Sequence, residues 1–252
     1  MNWEKEPEVS VVFPVYNESE NLENAFERTI EELEKISPSS YEIIIAEDGS
    51  TDGSDKIAEN LARKYRFVRH IHRDERLGRG KALNNAFKSS KGQVLVYMDV
   101  DLATSLKHLG TLIGYIRQSY DFATGSRMLK ESKVERSWSR LLASKSYNFL
   151  VRFLLGSKVS DHQCGFKAFK REPLLKMIDE VKASHWFWDT EIVVRYSFKG
   201  LKIKEFPVEW KGKGGTKVKL AKDSFTMGTQ AFKLWWNLKV KEKIKKKNRQ
   251  IT

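Results

Sequence analysis

Over the first hundred residues, apolar runs of strand length alternate with stretches of helical period, and few folds accommodate that alternation. Val9 to Val15 (VSVVFPV), Tyr41 to Ala46 (YEIIIA), Phe67 to Ile71 and Val94 to Met98 (VLVYM) read as strands. Between them, Ser19 to Ile36 places Leu22, Phe26, Ile30 and Leu33 at helical spacing, and further helices are expected to open near Ser54 and Ala82. Strands joined through helices pair in parallel, because a parallel connection needs a long crossover. The Val94–Met98 run is apolar throughout, as strands covered on both faces are. The expected fold is α/β: a mostly parallel, doubly wound sheet with helices on both faces. Pro14 has no N–H to donate, so it is expected to stop the first strand from continuing as a central ladder.

In such sheets ligands collect outside the carboxyl ends of the strands, and here those ends are acidic. Tyr16-Asn17-Glu18 follows the first strand, Glu47-Asp48-Gly49-Ser50-Thr51-Asp52-Gly53 the second, and Asp99-Val100-Asp101 the strand Val94–Met98. Two carboxylates within one turn are hard oxygen ligands. They suit Mg²⁺ or Mn²⁺, which take one or two carboxylates and complete their shell with phosphate and water. Asp48 can accept hydrogen bonds from a base or ribose, and Gly49 lets backbone N–H groups approach a ligand. Gly78-Arg79-Gly80-Lys81 lacks the P-loop spacing, and no G-x-G-x-x-G follows the first strand. What survives is a nucleotide site built from acidic turns and a metal.

The later chain is of opposite charge. Residues 1–60 carry 16 acidic and 4 basic side chains, whereas residues 61–252 carry 17 acidic and 42 basic. That imbalance points to an anionic partner: nucleic acid, a phosphorylated substrate or a membrane surface. Nucleic acid is disfavoured, because carboxylates at strand ends repel phosphate unless a metal intervenes. A helix is expected over about Ser105 to Ser119, then a strand over Asp121 to Thr124 leading into Gly125-Ser126-Arg127. Residues 137–155 form an amphipathic helix with Trp138, Leu142, Phe149 and Phe153 on one face. Arg136, Arg140, Lys145 and Arg152 add positive charge there, and Arg140 can grip a phosphate bidentately. Asp161 to Phe169 is a loop entering a strand, and His185 to Glu191 gathers three aromatics around Asp189 and Glu191. Leu201 to Trp210 reads as a final strand, followed by a basic loop from Lys211 to Lys217. Residues 1–220 are expected to form one domain. Residues 221–252, with Phe232, Trp235, Trp236 and a lysine-rich end, are expected to form an amphipathic segment suited to a bilayer interface. A lone cysteine, Cys164, excludes an internal disulfide. No leader and no spanning helix are expected from the acidic start and the lack of long apolar runs, so the expected location is cytoplasmic, peripheral on the cytoplasmic membrane face.

Taken together, Phe13-Pro-Val-Tyr-Asn-Glu18, Glu47-Asp-Gly-Ser-Thr-Asp52, Asp99-Val-Asp101 and Gly125-Ser-Arg127 resemble the inverting family 2 glycosyltransferases of the GT-A fold. Asp161-His-Gln-Cys-Gly-Phe-Lys167, Trp188-Asp-Thr-Glu191 and Pro207-Val-Glu-Trp210 bring the resemblance closest to the polyprenol-phosphate sugar synthases, the dolichyl-phosphate glucosyltransferases and mannosyltransferases. The resemblance spans about residues 8–220. It implies transfer of a hexose from UDP-glucose or GDP-mannose to dolichyl or polyprenyl phosphate, with a glycan or other hydroxyl acceptor as the alternative. It also implies site roles. Pro14, Tyr16, Glu18, Asp48 and Asp99 would hold the nucleotide, and Asp99 and Asp101 the metal. Arg127, Arg140, Lys211, Lys213 and Lys217 would receive the acceptor phosphate. Asp101, Asp161, Asp189 and Glu191 are the catalytic candidates, the last three as positioning groups or as a base. Ala103 stands where the mannosyltransferase group usually has a metal-binding Gln and the glucosyltransferase group has Ala, which favours glucose. Glu47 replaces the first Asp of the usual pair, and lysines replace an arginine expected near 211–213.

Overall fold

Alternation along each strand sorts the apolar side chains onto two faces of one sheet, and both faces are covered. The computed structural model describes residues 6–36, 40–212 and 220–241. The chain begins with β1 (Val9–Val15), α1 (Ser19–Ile36), β2 (Tyr41–Glu47), α2 (Ser54–Lys64), β3 (Val68–Ile71), α3 (Arg79–Ser89) and β4 (Val94–Met98). A 3₁₀ turn (Leu106–His108) runs into α4 (Leu109–Arg117), followed by β5 (Phe122–Ser126), β6 (Lys133–Glu135) and α5 (Trp138–Leu155). Then come β7 (Phe166–Lys170), α6 (Arg171–Met177), α7 (Trp188–Phe198), β8 (Ile203–Pro207), β9 (Glu209–Lys211) and α8 (Leu220–Trp235). Seven strands pair in the order β3-β2-β1-β4-β7-β5-β8, and β6 with β9 forms a separate two-stranded sheet. All pairs in the large sheet are parallel except those of β7, which runs antiparallel to both β4 and β5.

Val11, Phe13, Ile43, Ile45, Val96 and Met98 pack with Leu22, Phe26 and Leu112 of α1 and α4 on one face. Val12, Ile44, Leu95 and Tyr97 pack with Leu83 and Phe87 of α3 and Trp188 and Tyr196 of α7 on the other. This is the doubly wound α/β arrangement expected from the sequence, in a single domain. Burying apolar area on both faces is its main source of stability, at about 25 cal/mol per Å².

Pro14 ends the central ladder as expected: β1 pairs with β2 through Val15, while its ladder with β4 ends at Val12 opposite Tyr97. Pro14 thus falls where one neighbour has already left. Three expectations about elements are corrected. The single strand expected over Leu201 to Trp210 is two strands, because β5 reaches only Ser126 opposite Pro207. Beyond that point the chain finds a partner in β6, an element the sequence did not signal, with Val134 opposite Trp210. The helix expected from Ser105 opens as a 3₁₀ turn and ends at Arg117, with Ser119 in the left-handed region at φ 68°. The third strand begins at Val68 rather than Phe67, whose ring packs against Tyr65 and Tyr41.

One apolar face is not part of any core. On α5, Val151 and Leu155 are buried towards α7 and α8, and the buried Asn148 accepts the His162 N–H at 3.0 Å. Trp138, Leu142, Phe149 and Phe153 are 78%, 60%, 70% and 76% exposed. Phe232 and Trp236 are also exposed, whereas Trp235 packs against the cluster joining α5, α7 and α8.

Candidate active site

The loops after β1 and β2 are laced into one floor. Asn17 adopts φ 53°, donates its backbone N–H to Ser50 Oγ (3.1 Å) and accepts the Thr51 N–H at Oδ1 (2.8 Å). Glu18 N–H donates to Ser54 Oγ (2.8 Å) and Ser19 N–H to Asp52 Oδ2 (3.0 Å). A third loop is tied on by Asp48, whose buried carboxylate accepts the N–H groups of Leu77 and Gly78, both at 2.8 Å. Gly78 has φ +96°, a conformation that L side chains rarely adopt. Arg76 of the same loop lies over the Tyr16 ring, 3.7 Å from its centre. The expected nucleotide residues Pro14, Tyr16, Glu18 and Asp48 therefore lie on or beside one platform. Asp48 spends its carboxylate on shaping that platform.

Asp99 and Asp101 follow β4 at the same end of the sheet. Asp99 donates its N–H to the Gly165 carbonyl (3.0 Å), and its carboxylate pairs with Arg79. The Arg79 guanidinium also lies 5.2 Å from the Tyr97 ring centre and 5.0 Å from that of Trp186. Loss of water around Asp99 pushes its pKa up to about 6; Asp101 and Asp189 add to this, while Arg79 and Lys167 oppose it. Asp101 accepts the Ala103 N–H at Oδ1 (3.0 Å) and forms no ion pair among the described residues. Two adjacent carboxylates facing one paired cation leave negative charge uncompensated. That donor set fits a hard divalent cation. A Cβ added to Gly165 would stand 1.8 Å from Asp99 Oδ2, so only glycine leaves this carboxylate its place.

The other acids are engaged with partners. Asp189 pairs with the fully buried Lys167 Nζ at 2.7 Å and accepts the Tyr97 hydroxyl. Glu191 accepts the N–H groups of Lys182 (3.0 Å) and Ala183 (2.8 Å) and pairs with Arg195, fixing the segment before α7. Asp161 accepts from Arg127 three times: backbone N–H (2.9 Å), Nε (2.7 Å) and Nη2 (2.9 Å). Burial alone would raise the pKa of Asp161, but the Arg127 guanidinium and these hydrogen bonds hold it well below the usual carboxylate range. Among the expected phosphate-binding cations, Arg127 thus has a carboxylate partner. Arg140 is half-buried on α5, and Lys211 pairs with Glu135 at 2.9 Å. Lys213 and Lys217 lie outside the described residues. Arg136, next to Arg127, contacts Ser144 Oγ and Met128 Sδ, and its buried Nε has no partner among the described residues.

The Arg127–Asp161 pair gives a stability prediction. A depressed native pKa means that the unfolded state protonates first. The pair's stabilisation is therefore complete above about pH 4 and is lost as pH falls below it. Arg127→Met leaves a buried carboxylate unpaired and is expected to cost about 3–5 kcal/mol at pH 7. In urea unfolding, the gap between wild type and variant should narrow below about pH 4; a gap unchanged by pH would contradict the pairing.

Residues 10–178 match the sequence pattern of Glycosyl transferase family 2. The chain belongs to that family. This family 2 glycosyltransferase is 47% identical over 239 residues to Glycosyltransferase AglD of Haloferax volcanii, covering 94% of this chain and 38% of that protein. It is 33% identical to the human Dolichyl-phosphate beta-glucosyltransferase, covering 84% of this chain and 69% of the human one. In three dimensions it is similar to glucosyl-3-phosphoglycerate synthase from Mycobacterium tuberculosis, solved with Mn²⁺ and UDP. There the TM-score is 0.66 at 19% identity, over 92% of this chain and 79% of that one. The GT-A fold expected from the motifs is thereby established. Three residues at the site escaped the sequence reading of roles: Arg79, Gly165 and Lys167. Each sits inside a stretch already conspicuous in the sequence, Gly78-Arg79-Gly80-Lys81 or Asp161–Lys167, but their partners are distant in the chain.

Proposed function

We propose that this glycosyltransferase moves a hexose, glucose in preference to mannose, from a nucleotide sugar to dolichyl or polyprenyl phosphate with inversion at the anomeric carbon. The observation that carries this reading is a cationic margin formed by Arg136, whose buried Nε has no partner among the described residues, next to the Arg127–Asp161 pair, which lies within electrostatic reach of Asp99. An anionic acceptor is drawn to such a margin, whereas a neutral glycan gains nothing from it. The name of the human relative and the Mn²⁺ and UDP of the mycobacterial structure support the same reading. Pro14, Tyr16, Glu18 and Asp48 belong to the nucleotide platform, and Asp99 and Asp101 hold Mg²⁺ or Mn²⁺. Once bound, the metal supplies charge neutralisation for the leaving diphosphate. Arg79 keeps Asp99 oriented, and Arg136 and Arg140, with the lysines at 211, 213 and 217, receive the acceptor phosphate. A phosphate monoester has its second pKa near about 6 and is already nucleophilic at neutral pH. Asp161, Asp189 and Glu191 then act through their pairs as positioning groups, and no strong base is required.

The sugar preference rests on Ala103 and on the named relatives. Isothermal titration with Mn²⁺ should show UDP-glucose binding at least about tenfold more tightly than GDP-mannose, a difference of about 1.4 kcal/mol. The reverse order would overturn glucose as the donor sugar.

Among the described residues, no helix is long and apolar enough to cross a membrane. We place the membrane contact on the exposed α5 face, with Trp138, Leu142, Phe149 and Phe153, and on the neighbouring Phe232 and Trp236. Exposed Lys145, Arg152 and Lys233 flank these side chains. Apolar anchors ringed by cations suit an anionic leaflet, where each basic side chain contributes about 1 kcal/mol. On this reading the segment 221–252 shares in the contact, on the cytoplasmic face. Phe149→Ser with Phe153→Ser should reduce co-sedimentation with anionic vesicles by about tenfold or more, given about 1.5–3 kcal/mol for each buried Phe. Unchanged co-sedimentation would remove this face from the contact.

A further inference from the structure

We propose a second, chemically distinct metal site at the free edge of the sheet, formed by Glu47, His70 and His72 and selective for a zinc-type divalent transition metal. Each of these side chains offers one ligand atom, and the three atoms all lie within 4.8 Å of one another. The backbone accounts for the grouping. β2 and β3 pair in parallel with Ile45 opposite His70 and Ala46 opposite Ile71, so Glu47 comes level with His72. Residues two apart on a strand share a face. His70 and His72 therefore lie beside one another, their ring centres 5.7 Å apart.

Three further features favour a ligand here over a merely polar edge. His70 Nε2 is buried and has no hydrogen-bond partner among the described residues, which is costly unless something occupies that direction. Glu47 is fully buried, and its Oε1 is held by the Ser50 N–H, leaving Oε2 directed at His72 Nδ1. His72 is 46% exposed, so its ring can swing to bring ligand atoms that lie within 4.8 Å of one another into a closed shell. Ligands at about 2.0–2.1 Å in a tetrahedral shell sit roughly 3.3 Å apart. A water can complete the set, while Asp74 Oδ1, 3.2 Å from His72 Nε2, holds the other nitrogen of the ring as an outer-shell partner. Two imidazoles and one carboxylate are the donors that Zn²⁺ prefers. Asp99 and Asp101 offer oxygen only, and β4 is separated from β2 by β1. The two sites thus differ in both place and preference.

The location gives the second site a role. His72 leads directly into the loop that Asp48 anchors through Leu77 and Gly78 and that lays Arg76 over Tyr16. A metal linking the end of β3 to β2 fixes the base of that loop.

The test uses the full chain carrying Asp99→Asn and Asp101→Asn, which removes the oxygen site. After dialysis against Zn²⁺ this protein should retain one equivalent of metal, and with Co²⁺ it should give the intense visible absorption of a four-coordinate ion. Adding His70→Gln or, separately, His72→Gln should abolish both signals. The His72 variant alters an exposed side chain, so loss of folding cannot account for its effect. Retention in both His variants, or only a weak six-coordinate Co²⁺ spectrum from the start, would overturn the proposal and leave His72 as an ordinary ion-pair partner of Glu47 and Asp74.

Discussion

Asp101→Ala is expected to reduce sugar transfer by at least about 10²–10³-fold while leaving the folded protein intact. The carboxylate lies past the end of β4, half-buried, and accepts a hydrogen bond from the Ala103 N–H at 3.0 Å. Losing such a bond costs about 1 kcal/mol, a Tm change of a few degrees for a domain of this size. Activity suffers far more, because removing one group that stabilises charge in a transition state typically costs 10²–10³-fold. Asp99→Ala should have a similar kinetic effect but a different structural one, since Arg79, now buried without its carboxylate, loses its ion-pair partner. Comparing kcat and Tm for the two variants separates metal binding from scaffolding. Equal activity of Asp101→Ala and wild type would exclude a metal role for this turn.

Gly165→Ala should inactivate almost as fully through a single methyl group. The new Cβ would meet Asp99 Oδ2 at 1.8 Å and Cγ at 2.3 Å. Both atoms belong to the end of a side chain, so the carboxylate moves and the backbone stays. Asp99 is then displaced from Arg79 and from Asp101, and the pair of oxygen ligands is broken. The expected signature is loss of Mn²⁺ binding and at least about 10²-fold lower kcat, with secondary structure unchanged by circular dichroism. Restored activity at high Mn²⁺ would locate the whole defect in metal affinity. Wild-type metal binding would show that Asp99 adapts without consequence.

The sheet was legible because its strands are apolar on both faces and its helices keep a clear 3.6-residue period. Val94–Met98 and Ser19–Ile36 have the bounds that the residue pattern implies. The small sheet was not legible. Lys133–Glu135 is three residues long, exposed at both ends and without apolar periodicity, and it exists only because Glu209–Lys211 needs a partner where β5 stops. At the site, Asp99 and Asp101 announced themselves by position after a buried strand. Asp161, Asp189 and Glu191 looked the same in sequence, yet each is matched by a partner: Arg127, Lys167 and Arg195. A one-dimensional reading sees carboxylates but not the cations that fold back onto them. The α5 aromatics carried the opposite ambiguity. Their spacing announced one face, and only the packing of Val151 and Leu155 towards α8 showed that this face is turned outward.

Passage of a hexose from a nucleotide sugar to a polyprenyl phosphate at this site is tested by offering the purified chain radiolabelled UDP-glucose or GDP-mannose with a polyprenyl phosphate and Mn²⁺, then counting label in the organic-extractable lipid. Metal-dependent label from UDP-glucose is expected, absent with Asp101→Ala and absent when the lipid phosphate is replaced by the free polyprenol. Label from neither donor, or equal label with the unphosphorylated lipid, would contradict it.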